Sequence, residues 1–213
     1  MVALVLVYYF FAPAHSWFQG LALAKSKWGY CFSFSSAVIA GALLPTLLKW
    51  LTIDRGRFSG ADLAELIFLC IFWGGDGVII DSFYRVQAVI FGAQPDFPVV
   101  LKKVLVDQFI YNPVFAAPYT VACFQFKNWG YDWRRIQELF TVDFYRREAV
   151  PALCATWVVW IPVTAAIYAL PSLLQIPLFA LALTFWSLLV TYITTKGPAA
   201  GRLVAAIVRV APD

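Results

Sequence analysis

Five stretches of about 20 predominantly apolar residues divide this sequence, and they limit its folding more than any other feature. A helix rises about 1.5 Å per residue, so about 20 such residues cross the hydrocarbon core of a bilayer. Apolar residues make up 62% of the chain and charged residues 13%, whereas soluble domains have about 45–50% and about 25%. An integral membrane protein is therefore predicted. The predicted spans are residues 32–51, 63–83, 104–126, 149–170 and 173–195.

The spans are predicted to be helices, because a segment in lipid must satisfy its own backbone hydrogen bonds. The alternating pattern of a transmembrane β-barrel, with turns about every ten residues, is absent from the sequence. Weaker apolar segments flank the five spans, at residues 2–12 and 199–210. The predicted fold class is an all-α integral membrane protein: a single bundle of about four to six transmembrane helices in one membrane domain over residues 1–213.

The connection over residues 127–148 mixes aromatic and basic side chains. This mixture is typical of a helix lying in the headgroup region, so an amphipathic interfacial helix is predicted there. Counting Lys and Arg on either side of the spans gives five, Lys25 and Lys27 among them, against ten on the side of this loop. The loop is therefore predicted on the cytosolic or matrix-like side. The predicted interface anchors are Trp129, Trp133, Trp157, Trp160 and Trp186.

Asp76 lies within the apolar run "LIFLCIFWGGDGVII". A carboxylate at the centre of a span costs about 2.5–3.5 kcal/mol on insertion scales and needs a partner or a wet cavity. In one interpretation Asp81 pairs with Arg85, four residues on, at a membrane edge, and Asp76 caps a glycine-broken helix. In the other, small residues admit a neighbouring helix while Asp76 faces a polar interior. Those small residues are Gly74, Gly75 and Gly77.

The stretch "LKKVLVDQFIYNPVFAAPY" places Lys103, Asp107 and Tyr111 on one helical stripe, with Gln108 and Asn112 beside it. Lys102 and Lys103 are expected to snorkel to the headgroups. The polar half-face is compatible with a Lys103–Asp107 pair anchoring a kinked helix, with the wall of a pore, or with a partner-binding groove. Proline removes a backbone donor, so the carbonyls freed at Pro113 must be offset by Asn112, Gln108 or water. Prolines expected to kink the helices are Pro113, Pro118, Pro162 and Pro171.

The residues that several classes of function require are absent from this sequence. His15 is the only histidine, and the four cysteines match no metal or disulfide spacing. These cysteines are predicted to be buried thiols. No nucleotide-binding glycine loop and no dense basic block occur. We therefore expect no metal, no cofactor, no nucleic acid and no enzymatic activity.

Motifs in the second half of the chain are similar to those of a known family. "FYRVQ" at Phe83, "LKKVLVDQFIYNP" at Leu101, "WVVWIP" at Trp157 and "IYALP" at Ile167 occur in this order. With these, residues 74–195 resemble the family of Mpv-seventeen and the 22-kilodalton peroxisomal membrane protein. The most specific part is the pattern K-x-x-x-D-Q-x-x-x-x-P. The chain departs from the family's "GPxxHxWY", which here reads "GVIIDSFY".

The resemblance implies a small multi-helix protein of organelle membranes, mainly the mitochondrial inner membrane and the peroxisome. Some members of that family are reported as weakly selective channels. We expect a pore or channel for small polar solutes or ions, with a non-conducting membrane scaffold or assembly factor as the alternative. The expected partner is the lipid bilayer, and a homo-oligomer is left open. The candidate cavity residues are Asp76, Asp81, Arg85, Lys103, Asp107, Gln108, Tyr111 and Asn112.

Overall fold

The computed structural model describes residues 2–52 and 56–195, and within them every regular element is a helix. The all-α prediction is confirmed for this part of the chain. The first half contains α1 (Val2–Phe10), a 3-10 turn (Ala12–Ala14), α2 (His15–Trp28), α3 (Tyr30–Val38), a π-helical segment (Ile39–Leu43), α4 (Leu44–Thr52) and α5 (Gly60–Phe91). The second half contains α6 (Phe97–Val106), a π-helical segment (Asp107–Ala116), α7 (Ala117–Asn128), a 3-10 helix (Trp133–Phe140), α8 (Val142–Phe144), a π-helical segment (Tyr145–Ala149), α9 (Val150–Tyr168) and α10 (Ser172–Thr195).

Three helices are long and apolar enough to cross a membrane. They are Tyr30–Leu51, Gly60–Phe91 and Ser172–Leu189, and they match three of the predicted spans. A bent pair, Val142–Cys154 and Thr156–Tyr168, meets at 55° and gives a fourth if counted as one span. The predicted span 104–126 is helical throughout but is not among these helices of the described chain. The membrane-helix signal is thus established for three segments, and the higher count stays a prediction.

Helix α5 begins at a capping box that the sequence encodes. Asp62 N–H donates to Ser59 Oγ at 3.3 Å, and Ser59 N–H donates to Asp62 Oδ2 at 2.9 Å. Such a reciprocal pair satisfies two backbone donors that a helix start otherwise leaves open. Lys49 adds an ion pair to Asp62 at 2.7 Å. The helix ends at Gly92, whose φ of +99° suits glycine and stops the helix.

The chain divides into two compact units. One contains the described residues of Met1–Leu101 and Val163–Tyr192, and the other contains those of Lys102–Pro162 and Ile193–Asp213. In the first unit α3 packs against α5, and Ile167 at the end of α9 is buried, as are Ile176 and Leu183 in α10. The prediction of a single domain over residues 1–213 stays a prediction.

The connection predicted as an interfacial helix is more irregular than expected. Helix α7 continues to Asn128, a turn with Gly130 at φ +65° follows, and a 3-10 helix then covers Trp133–Phe140. The regular amphipathic helix predicted over residues 127–148 is therefore replaced by the end of α7 and three short elements: this 3-10 helix, α8 and the π-helical segment Tyr145–Ala149. Farther along, the 55° bend of the α9 region lies between Cys154 and Thr156, ahead of Pro162. Pro171 lies in the loop between α9 and α10.

The cysteines are less buried than their apolar surroundings predicted. Cys31 and Cys154 are exposed, and Cys70 and Cys123 are half-buried. The prediction of buried thiols is wrong for Cys31 and Cys154, which lie on exposed faces of α3 and α9.

Candidate functional site

Asp76 lies at the middle of the longest helix. It is 16 residues after Gly60 and 15 before Phe91, the two ends of α5. Only 7% of its surface is exposed, and it forms no hydrogen bond or ion pair with another described residue. Because α5 is unbroken there, Asp76 does not cap a helix end. A buried carboxylate without a protein partner is costly, and it marks the part of α5 that most needs a functional explanation.

The glycines beside Asp76 admit helix α3. A Cβ added at Gly77 would meet the carbonyl oxygen of Ser33 at 2.6 Å, and one added at Gly74 would overlap the ring of Phe34. A Cβ at Gly75 would have open space. Two of the three predicted packing glycines thus lie at the closest approach of α3 to α5, and Gly75 does not. This is the small-residue packing expected between membrane helices.

Asp81 is the centre of an ion-pair cluster in which Asp81, Lys25 and Ser33 are buried. Its carboxylate accepts from Lys25 Nζ and from Ser33 Oγ, the latter at 2.7 Å. Arg85 Nε donates to Asp81 Oδ1 at 3.2 Å, the i, i+4 pair that the sequence predicted. Lys25 is only 3% exposed, although its sequence position suggested a loop charge on the membrane surface. We call Lys25, Ser33, Asp81 and Arg85 the Asp81 cluster.

One indirect signal of the role of Lys25 is present in the local sequence. Gly29 separates α2 from α3 with a φ of +54°, and Lys25 Nζ donates to the Gly29 carbonyl at 3.1 Å. A lysine in the last turn of a helix that ends at glycine is placed to bond the last carbonyls. That it also reaches Asp81, 56 residues away, depends on the packing of α3 against α5 and is not visible in local sequence.

A second buried polar group joins α5 to the end of α9. Gln87 Nε2 donates to the hydroxyl of Tyr168 at 2.7 Å, and the rings of Tyr84 and Tyr168 meet edge to face at 5.1 Å. Gln87 and Tyr168 are each 1% exposed. The motifs FYRVQ and IYALP contain Gln87 and Tyr168, but one Gln and one Tyr in apolar helices have no spacing that predicts their contact.

In the second unit, the predicted polar half-face forms a hydrogen-bonded row. Gln108 Nε2 donates to Asp107 Oδ1 at 2.8 Å, and Asn112 Nδ2 donates to Gln108 Oε1 at 3.4 Å. Lys103 is 1% exposed, so it does not snorkel to the surface as expected. Tyr111 is half-buried on the same segment. This row is therefore built into the unit, with its amide groups already bonded to neighbours.

Pro113 lies in the π-helical segment Asp107–Ala116, where a backbone N–H bonds the carbonyl five residues earlier, and Pro118 lies in the first turn of α7 that follows. Ala117 N–H, for example, donates to the Asn112 carbonyl. Pro113 has no N–H for the Gln108 carbonyl, which instead accepts from Trp157 Nε1 at 2.9 Å. Pro118 likewise has no N–H for the Pro113 carbonyl, which instead accepts from the Tyr145 hydroxyl at 3.0 Å. The freed carbonyls are thus satisfied by Trp157 and Tyr145, and not by the side chains of Asn112 and Gln108.

No protein family, curated protein or solved structure matches this chain. A function for this chain is therefore inferred from the arrangement of its polar residues.

The tryptophans expected as interface anchors differ in exposure. Trp133 is 70% exposed, whereas Trp129, Trp157, Trp160 and Trp186 are half-buried. Arg135 stacks on the Trp129 ring at 4.0 Å and pairs with Glu138 at 2.9 Å. The hydrogen bonds from Arg135 hold the pKa of the Glu138 carboxyl below its usual range. An anchoring role of these rings at a bilayer surface stays a prediction.

The candidate cavity residues do not line the apolar cleft of the first unit. This open cleft has a volume of about 280 Å³ and is lined by residues of α2, α3, the π-helical segment Ile39–Leu43 and α10, together with Leu170. Among them are Trp17, Phe32, Ser36, Pro177 and Thr184. Within the first unit, Asp81 and Arg85 are bonded to each other and Asp76 lies by itself. Within the second unit, Asp107, Gln108 and Asn112 form the bonded row. No group of three or more metal-ligating side chains occurs in residues 2–52 and 56–195.

Proposed function

We propose that this chain is an integral membrane protein that conducts small polar solutes or ions, and that Asp76 faces the conducting path. The observation that carries the proposal is the burial of Asp76 at the midpoint of a 32-residue apolar helix without a partner among the described residues. Ionisable side chains inside membrane spans are rare and typically belong to solute or ion pathways. Water or a passing solute would solvate this carboxylate where the protein does not.

The other candidate residues have supporting roles in this proposal. Asp81 and Arg85 neutralise each other in part, and Asp107, Gln108 and Asn112 bond in a row. The carboxylates and amides bonded in this way stabilise packed helices and have less capacity to bind a solute. The pore is therefore expected to be weakly selective, and a single carboxylate favours cations over anions of similar size.

Membership of the Mpv-seventeen and 22-kilodalton peroxisomal membrane protein family is part of the proposal, supported by the motifs at Phe83, Leu101 and Trp157. The mitochondrial inner membrane or the peroxisome follows from that resemblance as the proposed location. Fluorescent tagging of the full chain in cells tests the location directly, and a plasma-membrane signal would contradict it.

Solute flux across liposomes tests conduction. Vesicles containing the purified protein should swell in isotonic solutions of small polar solutes or salts faster than protein-free vesicles, and Asp76→Asn should change the rate. Asp143→Asn is the matched control, because Asp143 is exposed and pairs only with Arg147 four residues on. Swelling no faster than that of empty vesicles, or equal rates for wild type and Asp76→Asn, would contradict the proposal.

The alternative is a non-conducting scaffold, and one observation favours it. The loop after α7 exposes large apolar side chains, with Trp133 70% and Phe140 84% exposed. A scaffold would use such a surface to bind another membrane protein. Alanine at Trp129 and Trp133 should then remove a cross-link to that protein in native membranes while leaving permeability unchanged. Unchanged cross-linking in the alanine variant would count against the scaffold.

A further inference from the structure

The Asp81 cluster contains more positive than negative charge. Lys25 and Arg85 both bond the Asp81 carboxylate, and the fourth member, Ser33, is neutral. Two cations and one anion leave a formal charge of +1 on the cluster. Arg135 provides a comparison within the same chain, because it pairs with Glu138 alone and that pair is neutral. The excess charge of the Asp81 cluster calls for an anion from outside the cluster.

Arg85, and not Lys25, has hydrogen-bond donors left to bind an additional anion. The ammonium group of Lys25 has three donors, and the Gly29 carbonyl, Ser33 Oγ and Asp81 Oδ2 accept all three. Arg85 has five donors, of which Nε and one on Nη2 are directed at Asp81. Three guanidinium N–H groups therefore remain, on a side chain that is 53% exposed.

The guanidinium of Arg85 is also held in a fixed orientation. Its Cζ lies 4.6 Å from the centre of the Tyr30 ring, and Asp81 holds its Nε edge. The Tyr30 hydroxyl is in turn 3.2 Å from Ser82 Oγ on α5. An arginine held by a carboxylate on one edge and an aromatic ring on its face loses little freedom when a ligand binds its other edge.

The position of Arg85 along α5 suits the surface of a bilayer. The helix has 32 residues, so at about 1.5 Å per residue it is about 48 Å long against a hydrocarbon core of about 30 Å. A centred helix therefore extends about 9 Å beyond the core at each end. Arg85 is six residues before Phe91, so it lies about 9 Å from that end. In a bilayer centred on α5, this depth places Arg85 at the boundary between the hydrocarbon core and the headgroups.

We infer that Arg85, held by Asp81 and Tyr30, is a binding site for a phosphate group. The planar fork of a guanidinium matches two phosphate oxygens, and a charge-assisted pair of this kind is stronger than a neutral hydrogen bond. The phosphate is that of an anionic lipid headgroup or of a soluble phosphate ester that approaches the membrane. The inference uses the membrane orientation of the proposed function but does not depend on conduction.

Thermal unfolding of the purified full chain in phosphate-free detergent tests the site. One arm adds inorganic phosphate, and a second adds short-chain phosphatidic acid, with phosphatidylcholine of the same chain length as its control. Sodium chloride at matched ionic strength controls for screening in both arms. We expect phosphate or phosphatidic acid to raise the Tm of the wild type, and Arg85→Gln to weaken the apparent affinity at least about tenfold.

Arg135→Gln is the matched control, since it removes an arginine with the same kind of carboxylate and ring contacts. It should keep the wild-type response. Arg85→Lys keeps the charge but not the fork, and it should bind with intermediate affinity, which separates loss of the site from loss of folding. A response to inorganic phosphate supports a soluble ligand, and a response to phosphatidic acid alone supports a headgroup.

Absence of any response in the wild type, or an equal loss in Arg85→Gln and Arg135→Gln, would overturn the inference. Asp76→Asn should retain the phosphate response. This separates the two proposals, because a failure of conduction leaves the phosphate response in place, and a failure of phosphate binding leaves the flux assay unaffected.

Discussion

The indole Nε1 of Trp157 donates a hydrogen bond to the Gln108 carbonyl at 2.9 Å, five residues before Pro113. In a π-helical segment that carbonyl would accept from residue 113, where proline has no N–H. In the same way, the Tyr145 hydroxyl donates to the Pro113 carbonyl, five residues before Pro118. Two prolines that would weaken a helix are thus accommodated by two aromatic donors from the following part of the chain.

Replacing Trp157 by Phe should destabilise the protein, because the Gln108 carbonyl would lose its donor. A buried acceptor left unsatisfied costs about 1–3 kcal/mol. Denaturant titration in detergent micelles, followed by circular dichroism, measures the change. Trp133→Phe is the control, since this ring is 70% exposed, and it should change the free energy of unfolding by less than about 0.5 kcal/mol.

A double-mutant cycle separates the hydrogen bond from the lost volume of the indole. Pro113→Ala returns a backbone N–H that can bond the Gln108 carbonyl. Trp157→Phe should therefore cost less in the Pro113→Ala background than in the wild type, by about 0.5–3 kcal/mol of coupling. Additive costs for the two substitutions would show that the proline and the indole act independently.

Asp81→Asn should be strongly destabilising. It leaves Lys25, which is 3% exposed, without its carboxylate partner, and breaking a buried pair at one partner costs about 3–5 kcal/mol. Asp143→Asn removes one half of an exposed i, i+4 pair with Arg147 and should cost at most about 1 kcal/mol. The same micelle titration compares them. Equal costs for the two variants would mean that the Asp81 cluster is not buried in the folded protein.

Alanine at Gly77 and at Gly75 should have opposite effects. A Cβ at Gly77 would lie 2.6 Å from the Ser33 carbonyl oxygen, so α3 must shift, at a cost of about 1–3 kcal/mol. A Cβ at Gly75 has open space, and alanine there should stabilise α5 by about 0.5–1 kcal/mol. Thermal unfolding of both variants makes the comparison, and a harmless Gly77→Ala would contradict the observed approach of α3.

Long apolar runs and local pairs could be predicted from the sequence, because each depends on residues close together in the chain. Helix α5, its capping box at Ser59 and the Asp81–Arg85 pair belong to this class. The burial of Lys25 could not be predicted, since it depends on a contact 56 residues away. A lysine near a helix end has the same local sequence whether it faces water or a carboxylate.

The site was predictable in part for the same reason. Asp76 is a carboxylate within a long apolar run, and this local contrast is visible in the sequence. The row from Asp107 to Asn112 was recognised as polar, but its hydrogen bonds and the donor from Trp157 depend on how α9 packs against the π-helical segment. Whether these side chains would pair locally or stay open to a cavity could not be predicted from the sequence. In the structure Asp81 pairs with Arg85, and Asp107, Gln108 and Asn112 bond in a row.

The most direct test of the conducting role of Asp76 is the reversal potential in planar bilayers across a potassium chloride gradient. Wild-type protein should give a reversal potential on the cation-selective side. Asp76→Asn should move it toward zero, while Asp143→Asn should leave it unchanged. An identical reversal potential for wild type and Asp76→Asn, or no conductance from any of the three proteins, would contradict the account.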